Sequence, residues 1–518
     1  MAEPIELPQE LQAEENPYGF VGRDGALLQL ERALHRKPPV LLIHGLGGVG
    51  KTTLAGGFVE WLLRTKGLTL ETLFWFRFDE IHSAEYVLNR IGERCFGPQF
   101  GAMPQEKKLE KLLKKLPELP LLLVWDNFEV VHGIADTSVN AKLPPADRDL
   151  LTRLVQGLDG GKTKILLTSR SDESWLGKPY RYRLELAGLD GEERWEFCET
   201  ILERQGVTVN RKDPELSQLL DLLDGHPLAM RVILPELETR SAQAVRTAVE
   251  KNVGTFETSA QNATEAKLFA TLRFATEQLP DALQPLLVPL ALHQRYVDGN
   301  LLDAMAQTVD ADQWSQTKID TFLTALGSAG LLRDVGQSIY ELHPLLTRYL
   351  RSCVEDEDSW TRAFVDVFGS LANALSPRPL HEQRAGFHMH GENFHTARRE
   401  AARLKMDTDY AALTQSLAVY AQNTRGFAAA ERLYDELRQH HHDRGDEQSE
   451  AAACHQLGRI AEEQRDFVAA ETWYRKSLEI KERLGNEDGA ASTYGQLGIL
   501  ASLQQRFADA AGWYVKCI

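Results

Sequence analysis

Short strand-like runs punctuate the first 186 residues: Val40 to Ile43, Leu73 to Phe78, Leu121 to Asp126, Lys164 to Thr168 and Tyr182 to Leu186. The first is continuously apolar, the mark of a parallel strand covered on both faces. The stretches between them carry helical or loop patterns, which predicts a doubly wound parallel sheet.

Beyond the sheet the pattern changes to helical periodicity. Ser359 to Leu404 is largely helical, and the remainder repeats at a fixed interval. Phe427, Phe467 and Phe507 stand 40 residues apart, as do Ala430, Ala470 and Ala510, and Tyr434, Tyr474 and Tyr514; Gly445 and Gly485, Gly458 and Gly498, and Trp473 and Trp513 keep the same interval. Each unit reads as two amphipathic helices, for example Glu450 to Gln464 and Val468 to Leu484, turning at Arg465-Asp466 and linked onward by Gly485 to Asp488. Small Ala and Gly admit close helix approach while Phe and Tyr fill the gaps between stacked pairs. This Leu-Gly, Phe-x-x-Ala and Trp-Tyr signature resembles tetratricopeptide repeats, whose concave groove carries ligands.

Composition narrows the class. With 518 residues the chain is long enough for about three to five domains. Its 43% hydrophobic and 26% charged residues exclude collagen-like, disordered and disulfide-scaffold readings. Lys and Arg total 58 against 75 Asp and Glu, a net charge of −17 that repels nucleic acid and anionic membranes from the chain as a whole. Residues 1–16 are acidic, lack the features of a secretory signal, and read as an exposed tail. No apolar run approaches the length of a membrane span. Cys95, Cys198, Cys353, Cys454 and Cys517 are scattered without a Cys-x-x-Cys pair, so neither a disulfide framework nor a zinc site is indicated, and the cytoplasm is the expected compartment. His381, His388, His390, His395 and His440 to His442 lack ligand spacing and read as solvated.

The chemistry begins directly after the first apolar run. Gly45-Leu46-Gly47-Gly48-Val49-Gly50-Lys51-Thr52 fits G-x-x-x-x-G-K-[ST], with a strand before it and the helix-forming Thr53-Leu54-Ala55 after it. A loop that wraps a triphosphate offers consecutive backbone N–H groups, which side chains would obstruct. Lys51 then neutralises the β- and γ-phosphates and Thr52 offers its hydroxyl to Mg²⁺. Asp126, ending the Leu121 run on a neighbouring strand, is the expected metal partner, its alternative being a strand-end cap. Asn127 stands where a second acid often polarises the attacking water. The next acid is Glu129, read either as that base or as a solvated loop acid, so hydrolysis is expected to be slow. Arg170, ending the fourth run, is placed to sense the γ-phosphate, its alternative being a surface ion pair.

Further motifs join these in order. Phe20-Val21-Gly22-Arg23-Asp24, the P-loop, the Leu-Val-Trp-Asp-Asn strand, Leu-Leu-Thr-Ser-Arg and Gly225-His226-Pro227-Leu228-Ala229 together resemble the STAND signal-transduction ATPases, closest to their NB-ARC-like branch, from about Pro17 to Leu350. The resemblance implies a modular ATP/ADP switch. A P-loop domain over 17–186 would precede a small helical domain over 187–256 and a winged-helix domain over 257–352, then a helical connector over 353–408 and repeats over 409–518. Val21 and Arg23 would lie on the adenine side, Pro227 would pack on the base, and His343 would meet the β-phosphate of a resting ADP form. Leu342 and Pro344 stand where the branch has Met and Asp. Read without the resemblance, His343 before a Pro is a helix-start or packing residue. The nucleotide-binding set is thus Val21, Arg23, Gly45, Gly47, Gly48, Val49, Gly50, Lys51, Thr52, Thr53, Pro227 and His343, with Thr52 and Asp126 on Mg²⁺ and Lys51, Asp126, Arg170 and Glu129 serving turnover.

The expected function is an ATP-dependent signalling switch. It would sense an unknown ligand or protein through its repeats, homo-oligomerise on ATP binding, and reset by slow hydrolysis; by family resemblance, bacterial defence and cell death are its settings. From Glu257 to Arg351 there are 7 Lys plus Arg against 11 Asp plus Glu, a local net of −4, so nucleic acid is not an expected partner. Two rival readings are a STAND-type transcriptional regulator and a passive repeat scaffold with a vestigial nucleotide site. Ile518 falls in mid-helix by the 40-residue period, and few residues precede Pro17. The expectation is therefore that either the chain is cut there or a partner or second copy covers the last repeat, and that whatever the switch turns on acts in trans, is missing from this chain, or is the assembly itself.

Overall fold

The computed structural model describes residues 18–133, 141–256, 263–353 and 358–517. The tail expected over 1–16, the first residues of the span 257–352 and Ile518 lie outside them. Helix α1 (Asp24–Leu34) leads into β1 (Val40–His44), and α2 (Lys51–Arg64) follows the glycine loop. Then come β2 (Leu73–Arg77), α3 (Ala84–Phe96), α4 (Gln105–Lys115), β3 (Leu122–Asp126), α5 (Glu129–His132), α6 (Pro145–Gln156), β4 (Lys164–Ser169) and β5 (Arg181–Glu185). All five runs are strands, paired in parallel in the order β2-β3-β4-β1-β5. Leu41, Ile43, Leu122, Val124, Leu166 and Leu184 join Leu54, Phe58 and Leu62 of α2 in one core. The alternate residues Val40, Leu42, Leu123, Ile165 and Leu167 are equally buried, so both faces are covered. Each such side chain contributes about 1.5–3 kcal/mol.

The strand order corrects one expectation. β3, which ends in Asp126, is not the neighbour of β1, because β4 lies between them. Thr168 on β4 bridges the gap, its hydroxyl donating to the Asp126 carboxylate.

A helical stretch follows, α7 (Gly191–Arg204), α8 (Pro214–Leu222), α9 (Pro227–Ile233) and α10 (Ala242–Phe256), with proline opening α8 and α9, where its missing N–H costs nothing. Next come α11 (Ala263–Thr276), α12 (Leu287–Leu292), β6 (Tyr296–Asp298), α13 (Gly299–Asp310), α14 (Gln316–Ser328), β7 (Leu332–Gly336), β8 (Ile339–Leu342) and α15 (Pro344–Cys353). β6, β8 and β7 form an antiparallel sheet in that order, and the β7–β8 turn places Gln337 and Ser338 at positive φ.

The rest is helical: α16 (Asp358–Leu375), α17 (Leu380–Leu404), α18 (Asp407–Asn423), α19 (Phe427–Asp443), α20 (Glu447–Glu463), α21 (Phe467–Arg483), α22 (Glu487–Leu503) and α23 (Phe507–Cys517). The repeat helices begin slightly earlier than the apolar pattern implies. Asp446, Asp466 and Asn486 cap them by accepting the N–H of Ser449, Ala469 and Gly489. The turns fall on Arg425, Arg465 and Gln505, all left-handed and all 40 residues apart. The solvated reading of the histidines is corrected in part: His390 is buried and His395 stacks on His82 at 3.7 Å, whereas His381 is exposed. No cluster of three or more His, Cys, Asp or Glu suited to a metal occurs among the described residues, and no described helix is long and apolar enough to cross a membrane.

The chain divides into two compact units. One holds the residues through Ile81 together with Leu113–Phe364; the other holds His82–Leu112 together with the chain from Val365. The segment between β2 and β3 therefore folds with the C-terminal helices. In that second unit Lys108 Nζ meets Glu85 Oε1 at 2.6 Å, both side chains buried, and Glu85 Oε2 accepts the Ala428 N–H at 3.1 Å at the start of α19.

At Gly45 a β-carbon would lie 2.4 Å from the Leu186 carbonyl oxygen, whereas at Gly25, in the first turn of α1, it would meet nothing within 4 Å. Gly45→Ala is expected to lower the first urea transition by about 1–3 kcal/mol. Gly25→Ala should leave it unchanged or raise it by up to about 1 kcal/mol. Equal midpoints for the two variants would remove Gly45 from the packing argument.

Candidate functional site

The glycine loop turns from β1 into α2 through Gly48 and Gly50, both at positive φ. Lys51 opens the helix and folds back over the loop, its Nζ donating to the carbonyls of Gly45 and Leu46 at 2.9 Å each. Thr52 Oγ1 donates to the Asp126 carboxylate, 2.9 and 3.2 Å from its two oxygens. The expected metal pair is thus in direct contact. The Asp126 carboxylate is fully buried and engaged by two hydroxyls from other elements. Burial pushes its pKa up to about 6, against the pull of Arg77 and the hydroxyls. Burial also lowers Lys51 to about 8, opposed by Glu129 and reinforced by Arg170.

Glu129 is not a solvated loop acid. It is buried at the start of α5 and its Oε1 meets Arg170 Nε at 2.9 Å, while Oε2 accepts the Arg170 backbone N–H at 3.3 Å. The two candidates for sensing and for base chemistry therefore neutralise one another, in a largely buried pair instead of on the surface. Asn127, where an acid might stand, has φ 56°, a left-handed conformation that Asn tolerates, and its N–H donates to Thr168 Oγ1. The loop after β4 is held by Glu173, also left-handed and buried, which accepts hydrogen bonds from Ser169, Ser171 and Trp175.

Two histidines close on the loop from elsewhere in the chain. A β-carbon at Gly48 would lie 2.9 Å from His226 Cε1, 3.2 Å from His343 Cε1 and 3.2 Å from Leu228 Cβ. His226 Nε2 donates to the Gly47 carbonyl at 2.9 Å. His343 stands at the β8–α15 junction, where its Nδ1 accepts the Leu345 N–H at 3.2 Å, so the neutral ring presents an Nε2–H. Burial first, then the cations Arg170 and Arg231, lower its pKa to about 3; burial likewise takes His226 to about 4. His343 is thus brought to the loop, and both rings are neutral at pH 7. His226 was missed from the sequence although it lies inside the quoted Gly225 to Ala229 motif. The available signal was its place just before the helix-opening proline, where a side chain can reach back to another loop.

Arg23 ties the periphery together. Its Nη2 donates to the carbonyls of Val49 at 3.1 Å and Ala187 at 2.7 Å, and its backbone N–H to Glu193 Oε1 at 2.8 Å. Glu193 is a second partner that spacing alone did not reveal. Val21 is half-buried beside this arginine, and Pro227 is half-buried at the head of α9.

The donor set fits a polyphosphate with a divalent cation. The glycines keep the loop backbone close to its neighbours, a β-carbon striking the Leu186 carbonyl at 45 and the His226 ring at 48, while one ammonium lies over the loop and a hydroxyl and a carboxylate meet beside it.

Residues 449–518 match the tetratricopeptide repeat family model, so the repeats read from the 40-residue period are of this type there. No curated protein matches the chain. Among solved structures it is similar to a signal transduction ATPase with numerous domains (STAND) with a tetratricopeptide repeat sensor from Pyrococcus horikoshii. That likeness has TM-score 0.42 and 15% identity, covering 96% of this chain and 82% of that one. It is also similar to a Walker-type ATPase of Pyrococcus abyssi, with TM-score 0.33, 16% identity and coverage of 64% and 96%. A third likeness is to the Aeropyrum pernix ORC2 protein, with TM-score 0.31, 15% identity and coverage of 67% and 98%.

The two shifted groups set a pH window. The binding forms are ionised Asp126, lost as pH falls through about 6, and protonated Lys51, lost as pH rises through about 8. Affinity for Mg²⁺ with inorganic tripolyphosphate, measured calorimetrically, should peak between these values and fall about tenfold per pH unit beyond either. Asp126→Asn should remove the acid limb while keeping the alkaline one; an unchanged acid limb would reject the role of Asp126.

Proposed function

We propose that the chain is a STAND-type signalling switch that binds ATP and ADP at the glycine loop, hydrolyses ATP slowly, and reads a ligand through its C-terminal repeats. The observation that carries this reading is the convergence of Lys51, the Thr52–Asp126 pair and two neutral histidines from separate parts of the chain on one loop. A metabolic ATPase has no need for distant elements to close over its phosphate loop. A switch whose conformation is set by the nucleotide does.

On binding, Lys51 exchanges its two loop carbonyls for phosphate oxygens. His343 donates from Nε2 to the β-phosphate, a bond available only while the winged-helix element β6–β8 with α13–α15 stays closed. Thr52 and Asp126 would hold Mg²⁺, which would supply neutralisation of phosphate charge. Arg170 senses the γ-phosphate by leaving Glu129 for it, and this frees the Glu129 carboxylate to orient water. Sensing and base activation then occur together, and turnover stays slow because Glu129 is otherwise held. Val21 and Arg23 border the adenine side, and Pro227 packs on the base. ATP binding opens the winged-helix element and drives homo-oligomerisation, with an effector acting in trans. The acidic balance of that element gives the DNA-regulator reading no support.

Purified protein is expected to carry ADP, released on heat denaturation and identified by ion-exchange chromatography. Absence of nucleotide together with no ATP binding would sink the proposal. His343→Ala should speed ADP release at least tenfold in stopped flow, whereas Glu129→Gln should retain ADP and slow hydrolysis by about 10²-fold or more. Lys51→Ala should abolish ATP-dependent oligomers in light scattering.

A further inference from the structure

His226 carries a cost that a packing residue in its place would not. The residue is 2% exposed, and its Nδ1 has no hydrogen-bond partner among the described residues. A buried acceptor left unpaired destabilises a fold, and an apolar side chain of similar size avoids it. Only the other nitrogen is used, Nε2 donating to the Gly47 carbonyl at 2.9 Å. That single bond is what an imidazole adds here and a leucine does not.

The bond fixes more than a carbonyl. The Gly47–Gly48 peptide is trans, so its C=O and N–H point in opposite directions. Holding the Gly47 carbonyl therefore sets the Gly48 N–H on the side of the loop away from His226. That N–H donates to no group among the described residues. Left to itself the peptide could turn, because it lies between two glycines and Gly48 has φ 75°. The other loop carbonyls are held by other donors. Lys51 takes those of Gly45 and Leu46 and gives both up for phosphate oxygens on binding, as proposed, while Arg23 takes that of Val49. Once Lys51 has moved, His226 and Arg23 are the donors that keep the loop in shape.

The ring is itself set by backbone. The His226 N–H donates to the Leu223 carbonyl at 2.9 Å, and the His226 carbonyl accepts the Met230 N–H at 2.9 Å in the first turn of α9. Gly225 before it has φ 59°, and a β-carbon there would lie 1.8 Å from the Leu189 carbonyl oxygen, so the turn is pressed onto the chain that follows β5. A side chain on a fixed helix start holds its partner more closely than one on a free loop.

We infer that His226 is a positioning residue of the phosphate loop, which by holding the Gly47 carbonyl aims the Gly48 N–H at the bound anion. This rests on the reading of the glycine loop as a nucleotide site and adds to it a member that touches no phosphate. The ring is neutral at pH 7, burial having lowered it to about 4, so it supplies direction without a further charge beside Lys51 and Arg23.

The test measures by calorimetry the affinity of the full chain for Mg²⁺ with inorganic tripolyphosphate, in three substitutions at 226. His226→Leu fills the space without a donor, and His226→Asn keeps an amide one carbon too short to reach the Gly47 carbonyl. Each should bind about tenfold more weakly or worse with thermal unfolding unchanged, the effect of one lost hydrogen bond directed at an anion. His226→Gln, whose amide reaches as far as Nε2, should bind almost as the unsubstituted chain does. A packing role would follow side-chain size, whereas loss confined to the variants without a reaching donor supports the inference. Should His226→Leu not fold, Asn against Gln decides alone. Equal affinity in every variant, or equal loss in Asn and Gln, would overturn the inference and leave the nucleotide reading standing. Failure of the unsubstituted chain to bind tripolyphosphate would remove both.

Discussion

The missing β-carbon at Gly48 is the constraint on which the closed arrangement depends. The glycine loop is approached there by His226 and Leu228 from the helical stretch and by His343 from the β8–α15 junction, all 2.9 to 3.2 Å from where a β-carbon would lie. A glycine at this place lets two distant parts of the chain seat against the loop. The neutral state of both histidines follows from the same crowding: burial first, with Lys51 near both, Arg23 near His226, and Arg170 and Arg231 near His343, disfavours a further positive charge. Hydrogen-bond donors without charge therefore face the loop.

Around that contact the charges are arranged so that none is buried alone. Asp126 is met by Thr52 and Thr168, Glu129 by Arg170, and Glu173 by Ser169, Ser171 and Trp175. Arg77, at the carboxyl end of β2, helps hold Asp126 ionised and also reaches Glu341 of β8 at 4.0 Å. Glu341 in turn pairs with Arg295 and Arg333, and Arg295 with Glu80. This network joins the end of the parallel sheet to the antiparallel one. Breaking one member leaves a buried charge uncompensated, which costs more than the intact pair contributes. His343, at the β8–α15 junction, stands next in the chain to this network at Glu341.

Much of this was legible because local chemistry and periodicity are written in consecutive residues. The five strands, the phosphate loop and the 40-residue array each rest on a short pattern that the fold did not override. Strand order was not legible. No residue in the Leu121 to Asp126 run states that β4 intervenes, and the fact that Thr52 still reaches Asp126 depends on Thr168 filling the gap. Pairings between distant residues escaped for the same reason. Glu129 and Arg170 were each singled out, but their mutual contact is a product of the β3–β4 register and the short α5. His226 was hidden by its neighbours, since the proline and glycine of its motif explain the turn without it.

The division of the chain adds a mechanical consequence. The segment His82–Leu112 folds with the C-terminal helices, yet it leaves the parallel sheet only five residues after Arg77. Phe78, in that short link, donates its N–H to the Asp126 carbonyl at 2.9 Å. The other end of the segment is anchored by the buried Glu85–Lys108 pair, whose carboxylate also caps α19 at Ala428. A carboxylate that serves an ion pair and a helix N-terminus together is costly to displace, so the segment moves with the helices it caps and not independently of them.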